Sequence, residues 1–431
     1  MTNSSGHLTF GQGTAMYVGA VLGTGVIALP ALAAEAAGPA SLLAWLALVV
    51  MSAPLAATFA ALGARYPDAG GVSTYARLAF GDRAAAVVGW CFYFAIPPGA
   101  PAAALFGGAY VAAATGGGAT TAFATAAALI AVVTATNMAG LRVSGRLQLI
   151  LAALLVTLLL VSVALSLPDA RWDNLTPFAP HGWTAIGSAA ALLVWSFAGW
   201  EAITHLAAEF RRPDRDLPRA TAAAVCVVGV LYLLVAFAII TVLGPAASTA
   251  DAPLGELMAR GLGGNARWPA AAAAVLLTLG TMNAYYAGVA KLGAALGRDG
   301  ALPSWLARGS VAGQVPRRSL ATASATSFAA LATVALTGLG PEPLVLLTTG
   351  SFVTVYAIGV ASAIRLLPRR TLARASAFAA LTAVAALLLM TGRYLIWPAA
   401  ITAAALTYRH LKSRRPSPPP PKHTGKQLTR S

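Results

Sequence analysis

The sequence predicts an all-α integral membrane protein of about twelve spans, and three observations predict it. Of 431 residues, 58% are hydrophobic and only 10% are charged, whereas an ordinary soluble domain carries roughly 25% charged residues. Apolar stretches of spanning length, roughly 20 residues at 1.5 Å rise each, recur with short polar interruptions between them. Those stretches, residues 149–167 for example, show no alternation of polar and apolar side chains. A membrane β-barrel would alternate with period two, so helix is the form left that satisfies the backbone in lipid.

Span 1, residues 10–36, contains GAVLGTGVIALP, with Gly19, Gly23 and Gly25 near its middle and Pro30 one turn beyond. Each glycine costs about 1 kcal/mol relative to alanine inside a helix. Gly19 with Gly23 suits a small-xxx-small packing face, which leaves Gly25 unexplained. A Gly-Thr-Gly tripeptide instead lets the chain unwind and offers the amides that begin a second half-helix, at its positive dipole end, to a carboxylate. Gly23, Thr24 and Gly25 are therefore candidate binding residues, with close helix packing as the plainer alternative.

Span 2 covers residues 39–64. The connection after it, RYPDAGGVSTYARLAFGDR, holds Pro67 and the Gly70-Gly71 pair and reads as a bent amphipathic element with a hinge. In span 3, residues 84–112, Pro97, Pro98 and Pro101 are expected to kink or locally unwind the helix, as membranes tolerate where neighbours re-satisfy freed carbonyls. Spans 4 and 5 cover residues 119–138 and 148–168.

Span 6, residues 184–209, is the second irregular one. Its segment WSFAGWEAITHLAAEF places a glycine and aromatic side chains beside Glu201 and His205. A carboxylate near the bilayer midplane costs roughly 2.5 to 3.5 kcal/mol, so it should face the bundle interior and have a partner. His205 follows one turn later on the same face and could share a proton with it. Two readings of Glu201 stand: a coupling or gating group, or a structural acceptor for unwound amides. For His205 the plainer reading is a position near the membrane rim.

Spans 7 to 12 follow at residues 218–243, 268–291, 319–338, 343–365, 374–391 and 394–411. Asn283, Tyr285 and Tyr286 in span 8, Thr348, Thr349, Ser351 and Tyr356 in span 10, and Tyr93 in span 3 either line a common cavity or bond between helices. The irregular helices are the first and the sixth, the spacing of a five-plus-five inverted repeat, and paired interrupted helices point to a binding site. The chain accordingly divides into an N-terminus (1–9), a first repeat (10–168), a second repeat (169–365), two further spans (366–411) and a basic, proline-rich tail (412–431) too polar to pack.

The net charge of +16 belongs to topology, not to a nucleic-acid surface, which would need a basic patch on a folded soluble domain. With the N-terminus inside, all but Arg171, Arg260, Arg267 and Arg393 of the 29 Lys and Arg fall on the cytoplasmic side. The positive-inside bias thus predicts two cytoplasmic termini. Cys91 and Cys226 lie in different spans and read as buried free thiols. No Ser/His/Asp set, metal-ligand cluster or nucleotide loop appears, so neither an enzyme nor a cofactor or metal is expected.

Four segments carry a resemblance over essentially the whole chain: GTGVIALP (23–30), YPDAGGVSTYARLAFG (66–81), FAGWEAITHLAAEFRRPDRDLPRA (197–220) and AGVAKLGAALGRDGALPSWLA (287–307). They resemble the amino acid, polyamine and organocation superfamily of secondary transporters. The EAxxHLAxEF stretch and the Ile-Pro-Pro-Gly-Ala-Pro run of span 3 look most like its bacterial L-methionine and branched-chain amino acid exporters. The resemblance implies a LeuT-like inverted-repeat fold in a bacterial inner membrane, with two C-terminal helices added. It implies that a substrate carboxylate meets the amides of Gly23, Thr24 and Gly25, and its ammonium the carbonyls of Phe197, Ala198 and Gly199. Trp195 matches an aromatic gate, and Glu201, Tyr356 and either Trp90 or Tyr93 would close the cytoplasmic side.

Some relatives carry a lysine in span 5 that replaces a sodium ion, and residues 149–167 hold none. Sodium would need span 1 carbonyls with hydroxyls such as Thr278 and Thr281. Exchange or proton coupling is the expectation taken forward. Ala198 and its apolar neighbours offer no fixed charge, which favours methionine or leucine over arginine or glutamate. A polyamine or organic-cation exchanger is the alternative, and would require an acidic pocket beyond Glu201. A membrane sensor on the same fold is a third reading, because fold does not fix function.

Overall fold

The computed structural model describes residues 9–67, 70–140, 145–201, 207, 210–262, 266–308 and 315–413. His205, residues 1–8 of the N-terminus and residues 414–431 of the tail lie outside them. Every regular element among the described residues is helical. In order these are α1 (Phe10–Leu22), α2 (Gly25–Ala37), α3 (Ser41–Arg65), α4 (Val72–Phe80), α5 (Asp82–Thr115), α6 (Ala119–Met138), α7 (Gly145–Ser166) and α8 (Ala185–Leu193). They continue with α9 (Pro213–Ala238), α10 (Pro253–Leu262), α11 (Arg267–Arg298), α12 (Arg317–Thr337), α13 (Glu342–Leu366), α14 (Leu372–Thr391) and α15 (Ile396–Ser413).

Eight helical stretches among the described residues are long and apolar enough to cross a membrane, and the chain is a multi-pass membrane protein. Two of the eight join a pair of helices. Gly25–Arg65 turns at Gly38 and Leu372–Lys412 turns at Gly392, each in the positive-φ region (58° and 55°) that glycine adopts at no steric cost. Shorter apolar helices at Ala153–Asp169 and Ala185–Phe197 fall where the fifth and sixth spans are expected.

Burial sorts the bundle into centre and rim. In the apolar window of α5, 83% of positions are buried, against 22% for α6 and 22% within Leu372–Lys412. The central α5 packs on α6, α11, α12 and α13, while α9 packs on α1 and α3. Rim side chains such as Leu389 and Ile396 are exposed at 82% and 74%, a surface suited to lipid.

Three local expectations need correction. Helix α5 runs through Pro97, Pro98 and Pro101 as one continuous α-helix, packed on α6, α11, α12 and α13, so the span is not locally unwound. Residues 213–217, expected to lie between spans 6 and 7, are instead the first turns of α9, with Pro213 at the start and Asp214 and Asp216 in the first turn. That is where a missing N–H costs nothing and negative charge meets the helix dipole favourably. Of the two free thiols only Cys91 is buried; Cys226 is exposed on α9. Near residues 65–83, where a bent element is expected, the structure places the short helix α4 between Gly71 and Gly81, both at positive φ.

Candidate functional site

The first helix stops where its glycines stop it. α1 begins with a full capping box, the Thr9 side chain accepting from the Gln12 amide and the Gln12 side chain answering the Thr9 amide. It ends at Gly23, whose φ of 32° and ψ of −150° leave the helical region. The chain re-enters a helix at Gly25 with no side-chain cap from Thr24. α2 therefore begins with amides that no side chain occupies, at the end of a helix that favours negative charge.

The second break follows the same logic with a different outcome. α8 tightens into a 3₁₀ turn over Val194–Phe197, after which Ala198 is extended and Gly199 adopts a φ of 129°. The Gly199 N–H donates to Glu201 Oε2 at 3.0 Å, and the Tyr356 hydroxyl of α13 donates to the same oxygen at 2.7 Å. Glu201 is 2% exposed. Its partners are the ones a carboxylate in that setting requires, since charge-assisted bonds are roughly twice as strong as neutral ones.

The two breaks pack directly on each other. A Cβ on Gly25 would stand 2.6 Å from Ser196 Oγ and 3.0 Å from Ser196 Cα, and a Cβ on Gly199 would stand 3.1 Å from the Ala20 carbonyl oxygen. A side chain at Gly25 would force Ser196 aside, and at Gly199 the φ of 129° adds backbone strain to a tight contact. Ser196 Oγ itself is buried without a hydrogen-bond partner. On α9, the Tyr232 hydroxyl lies 2.8 Å from the Val21 carbonyl oxygen and 2.8 Å from that of Ser196. Its single proton can serve one of them at a time, so one side chain bridges both breaks.

Between the breaks and α5, α11 and α13 is a cavity whose open space for water-sized molecules is about 50 Å³. Ala20, Val21, Gly23, Thr24 and Gly25 form one side of it, and Trp195 and Ala198 another. Helix α5 supplies Ala95, Ile96, Gly99, Ala100 and Ala103; α11 supplies Thr281, Met282, Tyr285 and Tyr286; α13 supplies Thr348 and Phe352. The lining carries hydroxyls but no charged side chain. Trp195 meets Phe106 edge-on at 6.4 Å and closes over Gly99, where a Cβ would already sit 3.4 Å from its ring.

The structure brings together Gly23, Thr24, Gly25, Trp195 and Ala198 at the cavity, and joins Glu201 to Tyr356 beside it. Other sequence-predicted residues fall elsewhere. The Phe197 ring turns away, stacking on Tyr232 and Trp45 at 5.2 and 6.3 Å, and Gly199 lies behind Ala198 against α1. Tyr93 donates to the Ser319 carbonyl at 3.1 Å, tying α5 to α12, and Trp90 donates to the Ala301 carbonyl at 2.7 Å. Asn283 accepts from Asn137 at 2.7 Å across the α6–α11 contact. Thr278 packs against Gly107 of α5, so of the two hydroxyls considered for a cation only Thr281 reaches the cavity. His205 lies outside the described residues.

Sequence reasoning missed Tyr232, whose role depends on contacts some 211 and 36 positions away. It also missed the small-residue wall of α5 and the apolar contributions of Met282 and Phe352. The repeated small residues from Ala95 to Ala103 were the available signal, because small side chains on a helix 83% buried in its apolar window either let a neighbour come close or leave space beside them.

Residues 8–410 match the family model described as amino acid permease. The chain is 34% identical over 406 residues to the uncharacterized amino acid permease YecA of Bacillus subtilis, covering 94% of this chain and 96% of that one. It is 35% identical over 235 residues to the L-methionine/branched-chain amino acid exporter YjeH of Escherichia coli, covering 54% of this chain and 56% of that one. With the branched-chain amino acid permease BcaP of Bacillus subtilis it shares 26% identity over 318 residues, 68% of each chain.

Proposed function

The chain belongs to the amino acid permease family, and from that premise we propose that it is a secondary transporter of neutral, apolar amino acids, methionine and the branched-chain residues foremost. The observation that carries this reading is the cavity at the two breaks, which has free amides on one side and apolar or hydroxyl side chains elsewhere, with no charged group in its lining. The amides of Gly23, Thr24 and Gly25, at the entry to α2, would take the substrate carboxylate. Carbonyls of the 197–199 segment would take its ammonium, and Ala100, Ala103, Met282 and Phe352 would enclose an apolar side chain. A polyamine would find no carboxylate in that lining, which weighs against the cation-exchanger reading.

In this reading the chain crosses the membrane about twelve times as a five-plus-five inverted repeat, 10–168 and 169–365, with two further spans. Both termini are cytoplasmic, from the distribution of Lys and Arg. Trp195 gates the cavity, and Glu201, held by Tyr356, carries the coupling proton. Export or exchange is preferred because the matched relative of Escherichia coli bears an exporter's name. Uptake of labelled leucine, methionine and putrescine into liposomes, with and without a pH gradient, tests it. Leucine and methionine are expected to move and putrescine not to; failure of both amino acids to move would sink the proposal.

A further inference from the structure

Away from the cavity, the turn joining α13 to α14 forms an open groove of about 300 Å³, lined by Arg369, Arg370, Thr371, Arg374, Ala375 and Phe378. Three arginines share it. None of the three makes an ion pair among the described residues, in contrast to Arg77 and Arg212, which meet Asp82 and Asp216. Three cations without ion pairs on one groove raise the positive potential there, and an anion bound in it would lower that potential. Arg370 is also the one non-glycine residue with positive φ, 63°, among the described residues. A bulky side chain is rarely held there without a compensating interaction.

The groove's surroundings narrow the identity of that anion. Leu372, two residues beyond the arginine pair, is 91% exposed, and Phe378, one wall of the groove, is 52% exposed with the Arg374 guanidinium 5.9 Å from its ring centre. Cationic and bare apolar groups thus stand together at the end of a lipid-facing helix. An inorganic anion would use the first and leave the second uncovered. Thr371 already closes onto the Arg374 amide, so the anion's partners are the guanidinium groups and not the helix terminus. We infer that this groove binds an anionic phospholipid, the phosphodiester headgroup held by Arg369, Arg370 and Arg374 and an acyl chain lying along Leu372 and Phe378. Guanidinium forks suit phosphate oxygens, and basic pockets at a membrane face take such headgroups.

The test uses the full-length protein in detergent, with lipid retention read by native mass spectrometry. Dioleoyl phosphatidylglycerol is expected to remain bound where dioleoyl phosphatidylcholine does not, and inorganic phosphate should not displace it. R369Q/R370Q/R374Q is expected to lower retention about a hundredfold, at about fivefold per charge removed. R317Q/R318Q, two exposed arginines at the start of α12, is expected to leave retention unchanged. Arg370→Gly guards against a folding defect, since glycine accepts the φ of 63° without strain; it should keep or raise the melting temperature and lose about fivefold in retention. Equal retention by the triple variant and the unmodified protein would overturn the inference, as would equal loss in R317Q/R318Q. Displacement by phosphate would assign the groove to a free anion, and that too would overturn it.

Discussion

At residues 22–25 the chain leaves one helix and enters another with no side chain on the new helix's first amides. At residues 197–201 the corresponding irregularity has the Gly199 amide already held by Glu201. Both breaks contain a glycine at positive φ, yet they present opposite chemistry. The first offers donors to whatever enters the cavity. The second has spent its donor on a carboxylate of its own and is left with carbonyl acceptors. A zwitterion needs one surface of each kind. The difference between the breaks therefore matters more than the likeness, and it comes down to one side chain, Glu201, which has no counterpart after Gly25, where the chain continues Val-Ile-Ala-Leu.

The comparison breaks most completely at Gly25, where the two segments meet. Gly25→Val places a branched side chain where a single Cβ would already be 2.6 Å from Ser196 Oγ, so the breaks must separate. Uptake of leucine is expected to fall at least about a hundredfold, roughly 2.7 kcal/mol, with membrane insertion and yield unaffected. Substantial uptake by this variant would mean that the first break serves packing alone.

Glu201→Gln asks whether the second break depends on charge or on hydrogen bonding. The glutamine oxygen can still accept from Gly199 or Tyr356, but without the strength that ionisation lends. Transport is expected to slow about tenfold, some 1.4 kcal/mol, with substrate affinity kept, and its pH dependence to flatten. A rate profile against pH with the same shape as the unmodified protein would remove Glu201 from the proton path and leave it a structural acceptor.

Tyr232→Phe tests whether the breaks act together. Removing the hydroxyl deletes the hydrogen bond shared by the Val21 and Ser196 carbonyls, a net loss of about 1 kcal/mol. Substrate binding measured by competition is expected to weaken about fivefold. If affinity holds while the melting temperature drops, the bridge stabilises the bundle without setting the cavity's shape.

These contrasts bear on what a sequence can disclose. The breaks were legible because glycine acts locally: Gly23 and Gly199 take positive φ that other residues rarely adopt, whereas the need for Gly25 comes from Ser196 packed against it. Glu201 was legible because a carboxylate in a membrane is costly anywhere, although its partner Tyr356 came only through a resemblance. Tyr93 and Asn283 were less legible. A polar side chain in an apolar helix announces that it needs a partner and not where the partner is, and theirs are Ser319 and Asn137, away from the cavity. Tyr232 was silent for the same reason in reverse, being one more aromatic in the run VLYLLVAF until the fold set two carbonyls against it. The prolines of α5 gave no unwinding because packing on neighbouring helices keeps the span helical around them, even though the cavity lies along part of it.

Asn283 gives the smallest expected effect and the sharpest control. It lies one position after Met282, which lines the cavity, yet its side chain turns toward α6 and accepts from Asn137 at 2.7 Å. Adjacent residues on one helix thus serve different faces, as the 100° step between them requires. Asn283→Ala removes that bond, but Asn137 keeps its second one, to the Val133 carbonyl at 2.9 Å, so no buried donor group is abandoned. The cost should be about 1 kcal/mol of stability, within the range of interhelical polar contacts in membranes, seen as a modest fall in melting temperature. Leucine affinity should change by less than about twofold, because groups without shared partners act nearly independently. Should affinity instead fall as far as in Tyr232→Phe, the α6–α11 contact would be positioning Met282 and Tyr286. The cavity would then answer to a wall distant from both breaks as strongly as to the hydroxyl that joins them.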